Sequence, residues 1–230
     1  MRPETALDED VLRVLIVFYS RSGTTRELAR EIAAGVGQLP AAEAILLEVE
    51  EQPLLTLRHD ETEDDLHRRV AAILNQLTTA DALVVGAPAY FGSMASPLKR
   101  FFEDCATGAS TILDHTRPWH HYLFHNKVGA AFTSSATPHG GNEQALQSML
   151  TMLMHLGLVV VTPGQRGPIL EQPTAPYGAT AIIGPGDPPV LTAETRQEAR
   201  YLGQHVAEMG VWLREGRSTA STHLPAADSY

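Results

Sequence analysis

A single cysteine, Cys105, stands in the 230 residues. One thiol cannot form an intrachain disulfide. A thiolate-held iron–sulfur cluster or a Cys-rich zinc site lacks its ligands. This suits a reducing compartment, and a cytoplasmic location is the expectation. Lys/Arg-rich runs are missing too. The 17 basic residues are outnumbered by 27 acidic ones, for a net charge of -10 with His neutral. That balance carries no general nucleic-acid footprint, so no nucleic-acid partner is expected. No apolar stretch is long enough to cross a bilayer, which leaves no membrane span. Met1 to Asp10 carries acids and lacks the apolar segment of a signal peptide. It reads as a short flexible lead before one domain spanning 11–216, with 217–230 as a disordered tail.

What is present is an alternation of strand and helix signals. Val11 to Tyr19 is apolar and β-branched, the pattern of a strand buried on both faces. Leu28, Ile32 and Val36 then recur at helical spacing, with Gly37 near the end. Ala44 to Val49 reads as a second strand. Acidic residues from Glu61 to Asp65 precede a helical stripe of Leu66, Val70, Ile73, Leu74 and Leu77. Ala82 to Ala87 is a third strand, ended by Pro88. Pro97 to Cys105 forms a short helix with Pro97 in its first turn. Lys127 to Phe132 is a fourth strand, followed by a helix marked by Leu146, Met149, Leu150, Leu153 and Leu156. Leu158 to Val161 is a fifth strand. A Pro/Gly-rich loop, Pro163 to Pro189, precedes a last helix carrying Ala199, Leu202, Val206, Met209 and Leu213. Such alternation implies an α/β fold, a doubly wound five-stranded parallel sheet of order 2-1-3-4-5 with helices on both faces. Ligands of these sheets sit beyond the strand C-termini, at the topological switch point.

Three loops at those C-termini carry the chemistry. The first is Ser20-Arg21-Ser22-Gly23-Thr24-Thr25, with four hydroxyls and a glycine at a helix start. Hydroxyls, close backbone approach and free N–H groups are what a phosphate monoester needs. The plainer alternative is a polar turn with Thr24 or Thr25 as the N-cap. It is neither a Walker loop, lacking Gly-Lys-Ser/Thr, nor a dinucleotide fingerprint, having one glycine. The second loop is Pro88-Ala89-Tyr90-Phe91-Gly92-Ser93-Met94. Its aromatics offer a face to a flat ring, although Phe91 alone is better read as stapling the next helix to the sheet. The third is Thr133-Ser134-Ser135-Ala136-Thr137-Pro138-His139-Gly140-Gly141-Asn142, suited to a flavin's pyrimidine edge and ribityl chain. As a plain loop it would have Asn142 as the helix cap.

The segments FYSRSGTTRELA, GAPAYFGSMASPLKRFF, AFTSSATPHGGNEQAL, HLGLVVV and PYGATAIIG resemble, in the same order, the WrbA-type NAD(P)H:quinone oxidoreductases, which are flavodoxin-like FMN proteins. They cover roughly residues 12–210. The resemblance implies a flavodoxin-like fold, FMN as cofactor, NAD(P)H as co-substrate, a quinone as acceptor and a homotetramer. It assigns Ser20, Arg21, Ser22, Gly23, Thr24 and Thr25 to the FMN phosphate. Pro88, Ala89, Tyr90, Phe91 and Gly92 fall in the loop along the ring. Ser134, Ser135, Ala136, Thr137, Pro138, His139 and Gly140 would hold the ring edge and sugar chain. His155 matches a histidine that reaches a flavin carbonyl, from its own or a neighbouring subunit. Without the resemblance it is a helix C-terminal His favoured by the macrodipole. Asn142-Glu143 and Pro176 to Thr180 resemble elements that shape the pocket and the subunit contacts. The flavin carries the redox chemistry, so no catalytic side chain is assigned.

Departures from the family pattern bear on the electron donor. Ser22 stands where an aromatic is frequent, Ala109 falls near an expected Trp, and Leu156 occupies the place of a second His. A stretch from Asp114 to Asn126 instead holds Trp119, His120, His121, Tyr122, Phe124 and His125. There Trp119 could replace the missing Trp as a lid or subunit contact. His121 and His125 have a metal-chelating spacing without a third ligand, and no metal is expected. Cys105 reads as a small buried hydrophobe. The alternative function is a flavodoxin-like electron carrier, or an FMN-binding protein without quinone reductase activity.

Overall fold

A computed structural model describes residues 11–108, 124–165, 176–183 and 190–220. Its centre is β1 (Leu12–Phe18), in which every residue but Arg13 is buried. An apolar, β-branched run of this kind suits a strand covered on both faces. On one side β1 pairs in parallel with β2 (Ala42–Glu48), and on the other with β3 (Ala82–Tyr90). A two-residue strand, β4 (Ser93–Met94), folds back on β3 as a hairpin. Next across the sheet comes β5 (Val128–Ser135), whose eight residues are all buried.

The fifth position is split. β6 (Val159–Val160) pairs with β5 at Val128 and Gly129, while β7 (Ala179–Ile182) pairs with it from Phe132 to Ser135. Because β3 occupies the other edge of β5 from Val128 to Ser134, β6 and β7 share the free edge. The path β2-β1-β3-β5-β6 is the expected 2-1-3-4-5 order once the hairpin strand is set aside. The strand β7 lies inside the stretch expected to be a Pro/Gly-rich loop. Four residues between turn formers carry too short a pattern to announce a strand.

Among the described residues, five helices cover the sheet. α1 (Thr24–Val36) and α5 (Ala193–Ala220) close one face over Val14, Ile16 and Phe18. On the other face, α2 (Glu63–Thr79), α3 (Ser96–Gly108) and α4 (Asn142–His155) cover Leu15, Val17 and Val85. The two-residue period of a strand thus feeds two cores. α1 and α5 cross closely. A Cβ at Gly35 would stand 1.9 Å from the Arg200 carbonyl oxygen, and one at Gly203 would stand 2.0 Å from that of Ile32. This contact seats α1, and with it the loop that precedes α1.

Several boundaries differ from expectation for identifiable reasons. α5 continues through Gly216 to Ala220. β3 does not end at Pro88 but runs to Tyr90. The Gly86 carbonyl accepts from Tyr19 N–H, so Gly86 presents its polar edge to β1. Two residues later Pro88 presents the same edge beyond the end of β1, where its carbonyl accepts from Ala95 N–H at 3.1 Å and no β1 carbonyl waits for its missing N–H. Cys105 is fully buried, as expected, and its thiol is pushed up in pKa mainly by that burial. Residues 1–10, 109–123, with Trp119, His120, His121 and Tyr122 among them, and 221–230 lie outside the described residues.

Candidate functional site

The three loops converge at the C-terminal rim of the sheet. Thr25 and Ser134, 109 residues apart in sequence, are joined by a buried hydroxyl–hydroxyl hydrogen bond of 2.9 Å. Thr133 Oγ1 donates to the Ala87 carbonyl at 2.7 Å, stitching β5 to β3. Gly141 lies so close to the hairpin that a Cβ on it would stand 2.9 Å from Gly92 Cα. The first and third loops, and the second and third, are therefore in contact within one chain.

The first loop is shaped to leave donors open. The N-cap of α1 is Gly23, left-handed at φ 94, and no side chain caps the helix. The plainer alternative, Thr24 or Thr25 as the N-cap, is therefore not realised. Both threonines are buried inside the first turn. Ser20 Oγ accepts from Arg26 N–H at 3.2 Å. The Thr24 Oγ1 is buried with no hydrogen-bond partner. Arg21 and Ser22 are exposed at the loop's tip. An uncapped helix N-terminus, an orphaned hydroxyl and a nearby guanidinium fit a phosphate. Neighbouring acids are already engaged: Glu48 holds Arg26 through two hydrogen bonds of 2.7 and 2.6 Å, and Glu50 meets Arg58 at 2.7 Å.

The second loop corrects one expectation. Phe91 staples nothing: its ring is fully exposed, at 109% of the reference area. It sits at the tip of the β3–β4 hairpin with φ 51, followed by Gly92 at φ 74. A two-residue hairpin turn with both residues at positive φ matches the twist of the strands, yet a bulky residue there is strained. Tyr90 is 40% exposed. In the third region, Ser134 and Ser135 belong to the end of β5 rather than to a loop, whereas Ala136 to His139 are exposed. Asn142 does not cap α4. The N-cap is Gly141 at φ 84, and Asn142 is the buried first residue of the helix.

His155 is the candidate that the single chain does not bring to the rim. It ends α4, thirteen rises from Asn142, or about 20 Å along the axis. The strand that follows, β6, pairs with the beginning of β5, so His155 lies at the opposite end of the sheet. It lines a cavity of about 700 Å³ that runs between α3 and α4 from Ser93, Met94 and Gln144 at the hairpin to Met152, His155 and Leu156. Phe124, from the His-rich stretch, is buried in the core.

The family model for NADPH-dependent FMN reductases matches residues 12–167. The chain belongs to that family. Among its relatives, an NAD(P)H dehydrogenase (quinone) from Syntrophobacter fumaroxidans is 34% identical over 207 residues, covering 86% of this chain and 97% of the relative. One from Caulobacter vibrioides is 36% identical over 207 residues, with 87% and 98% covered. The crystal structure of a WrbA-like flavodoxin from Agrobacterium tumefaciens superposes with a TM-score of 0.58 at 21% identity, covering 87% of this chain and 98% of that one. The flavodoxin-like fold and the family resemblance read from the sequence are matched by these comparisons.

Sequence reasoning missed three features of this FMN reductase family member: the Thr25–Ser134 bond, the buried Asn142, and a contact of Tyr19. The Tyr19 hydroxyl donates to Glu51 Oε1 at 2.6 Å. It ties the residue before the first loop to the segment after β2, within a cleft that Ser20, Arg21 and Glu48 to Glu50 also line. Burial pushes the Tyr19 phenol up to about 12. The hydrogen bond to Glu51 and the charges of Glu51 and Tyr90 add to the shift, and Arg21 pulls it partly back. A raised pKa in the folded state means the neutral phenol is the stabilising form. Its contribution is full below the ordinary value near 10 and is lost as pH rises through about 12. Melting temperatures of wild type and Tyr19→Phe, measured against pH, should therefore converge between those values. A pH-independent difference would contradict the assignment.

Proposed function

We propose that this chain is an FMN-dependent NAD(P)H:quinone oxidoreductase. The observation that carries this reading is the first loop, where an uncapped helix N-terminus and the partnerless Thr24 Oγ1 meet the end of β5. Its relatives named NAD(P)H dehydrogenase (quinone), which the chain spans almost end to end, support the same activity. Ser20, Ser22, Thr24 and Thr25, with the N–H groups of the α1 start, would hold the phosphate of FMN, and Arg21 would balance its charge. The loop from Pro88 to Gly92 would lie along the ring, presenting Tyr90 and Phe91. Ser134 to Gly140 would hold the ring edge and the sugar chain. When bound, FMN supplies two-electron chemistry, taking a hydride from NAD(P)H and delivering two electrons to a quinone. The exposed ring of Phe91 leaves one apolar surface for a flat co-substrate to stack on. Donor and acceptor would use that surface in turn, giving ping-pong kinetics. Steady-state assays of the yellow holoenzyme with NADH and NADPH against benzoquinone should show turnover with at least one donor. Absence of turnover with both would refute the activity.

Homo-oligomerisation, as a tetramer, is part of the same proposal. His155 lies about 20 Å from the α4 start in its own chain, so a role at the flavin requires a histidine from a second copy. The apolar cavity around His155 is a surface of the kind that subunits cover. Light scattering should return a multiple of the 24.9 kDa chain mass; a monomer would contradict the shared site. A cytoplasmic location also belongs to this reading, supported by the lone buried cysteine.

A further inference from the structure

A cavity of about 220 Å³ lies on the β2 side of the rim, between the segment after β2, the middle of α2 and the first turn of α3. Leu54 and Phe101, both buried, and the half-buried Ile73 and Pro97 form its walls. The space is smaller than the ~300 Å³ at which pockets for a whole drug-sized ligand begin, so it suits a single ring system. It stands beside two of the rim loops. Glu48 to Glu51 line this cavity and also the cleft that holds Ser20 and Arg21. On its other side, Ala95 N–H donates to the Pro88 carbonyl at 3.1 Å. Pro97, two residues further on, is therefore within about 12 Å of that carbonyl in the ring-side loop.

Most charged groups around this cavity are matched within the chain. Arg58 donates to Glu50 at 2.7 Å, and Arg26 donates to Glu48 at 2.7 Å. Arg69 donates to Glu61 at 2.7 Å and to the Leu54 carbonyl at 2.8 Å. Two groups are left over among the described residues. Arg100, exposed on α3, makes no hydrogen bond and no ion pair. Glu51 is met at Oε1 by the neutral Tyr19 hydroxyl, and its charge has no cationic partner. A carboxylate offers only acceptors, and a guanidinium only donors. Set around an apolar slot, the two complement a flat heteroaromatic ring that carries an amine beside ring nitrogens. Adenine is such a ring: its N6 amine donates and its N7 accepts. A guanidinium plane can also stack on a base. A phosphate would meet the charge of Glu51 and leave the apolar walls unused.

We propose that this cavity is the adenine subsite of the dinucleotide electron donor, with Glu51 accepting from the N6 amine and Arg100 donating to a ring nitrogen. The proposal rests on the functional reading above, in which NAD(P)H brings its nicotinamide end to the ring-side loop. The test uses FMN-loaded protein and ADP-ribose, which keeps the adenine and lacks the nicotinamide. Calorimetric titration compares it with its hypoxanthine counterpart, in which a carbonyl replaces the N6 amine. Wild type should bind ADP-ribose about tenfold more tightly than the hypoxanthine form, the worth of one good hydrogen bond. Glu51→Gln should no longer distinguish the two, since an amide can turn either a donor or an acceptor to the ring. Arg100→Ala should bind ADP-ribose about tenfold more weakly than wild type. In turnover assays ADP-ribose should inhibit competitively against the donor. The proposal is overturned if wild type binds neither nucleotide or both equally, if Glu51→Gln still discriminates, or if Arg100→Ala binds ADP-ribose as wild type does. Inhibition that is not competitive with the donor overturns it as well. If Glu51→Gln fails to fold, wild type and Arg100→Ala still decide. A protein that takes up no FMN refutes the functional reading itself, which is a different outcome from loaded protein that ignores ADP-ribose.

Discussion

Every α-helix leaves the N–H groups of its first turn without an intrahelical partner, and most proteins satisfy some of them with a Ser, Thr, Asp or Asn at the N-cap. Here two helices, α1 and α4, forgo that cap at the same rim of a parallel sheet. Each starts from a left-handed glycine, and each then buries a polar side chain with an unpaired oxygen. An unsatisfied buried group costs on the order of 1–3 kcal/mol. Two of them together are a sizeable fraction of an ordinary domain's stability of about 5–15 kcal/mol. Such groups call for an explanation in strain, a bound water or ion, or a ligand. The remaining structure serves this arrangement: β1, β3 and β5 place their ends side by side, the close α1–α5 crossing seats α1, and the Thr25–Ser134 bond locks the first loop to the end of β5.

The rim's electrostatics are reconciled with an acidic chain by local pairing. Glu48 is taken by Arg26, Glu50 by Arg58 and Glu51 by the Tyr19 hydroxyl. Arg21 remains exposed at the loop tip. A net charge of -10 therefore does not set the sign of the field at the start of α1. The nearest backbone dipoles and the exposed Arg21 guanidinium do, since exposed charges farther than about 10 Å away are screened by salt. The strained, exposed Phe91 belongs to the same economy. A residue held at positive φ with its ring in water is stable only where the surrounding hairpin imposes it.

Much of this was legible in the sequence because the signals were long or doubled. The β1 and β5 segments are apolar on both faces, the helical stripes of α1, α4 and α5 run for two turns or more, and three hydroxyl- or aromatic-bearing loops follow the central strands. What could not be read depends on contacts distant in sequence or on short elements. β7 has four residues, and its identity as a strand comes from the free edge of β5. Pro88 looked like a strand terminator, which it would be in a central ladder; it is tolerated because β1 ends earlier. The capping roles offered as plain alternatives for Thr24, Thr25 and Asn142 followed residue preference, and the glycine before each helix start prevailed. That Gly-Thr and Gly-Asn occupy equivalent places in the two helices was a signal available in the letters alone. Phe91 was misread because burial is the usual fate of an aromatic next to a helix. His155 matched its family position, but only the course of α4 reveals how far it lies from the loops in its own chain.

The central claim is that the α1 start is a phosphate site and that the cofactor is held first by that group. Riboflavin has the ring and the sugar chain of FMN without the phosphate. Comparing the two in fluorescence titrations of the apoprotein tests the claim most directly. The account predicts that FMN binds at least about 100-fold more tightly, since two or more charge-assisted hydrogen bonds of about 1.5–3 kcal/mol each are at stake. Equal affinities for FMN and riboflavin would contradict it.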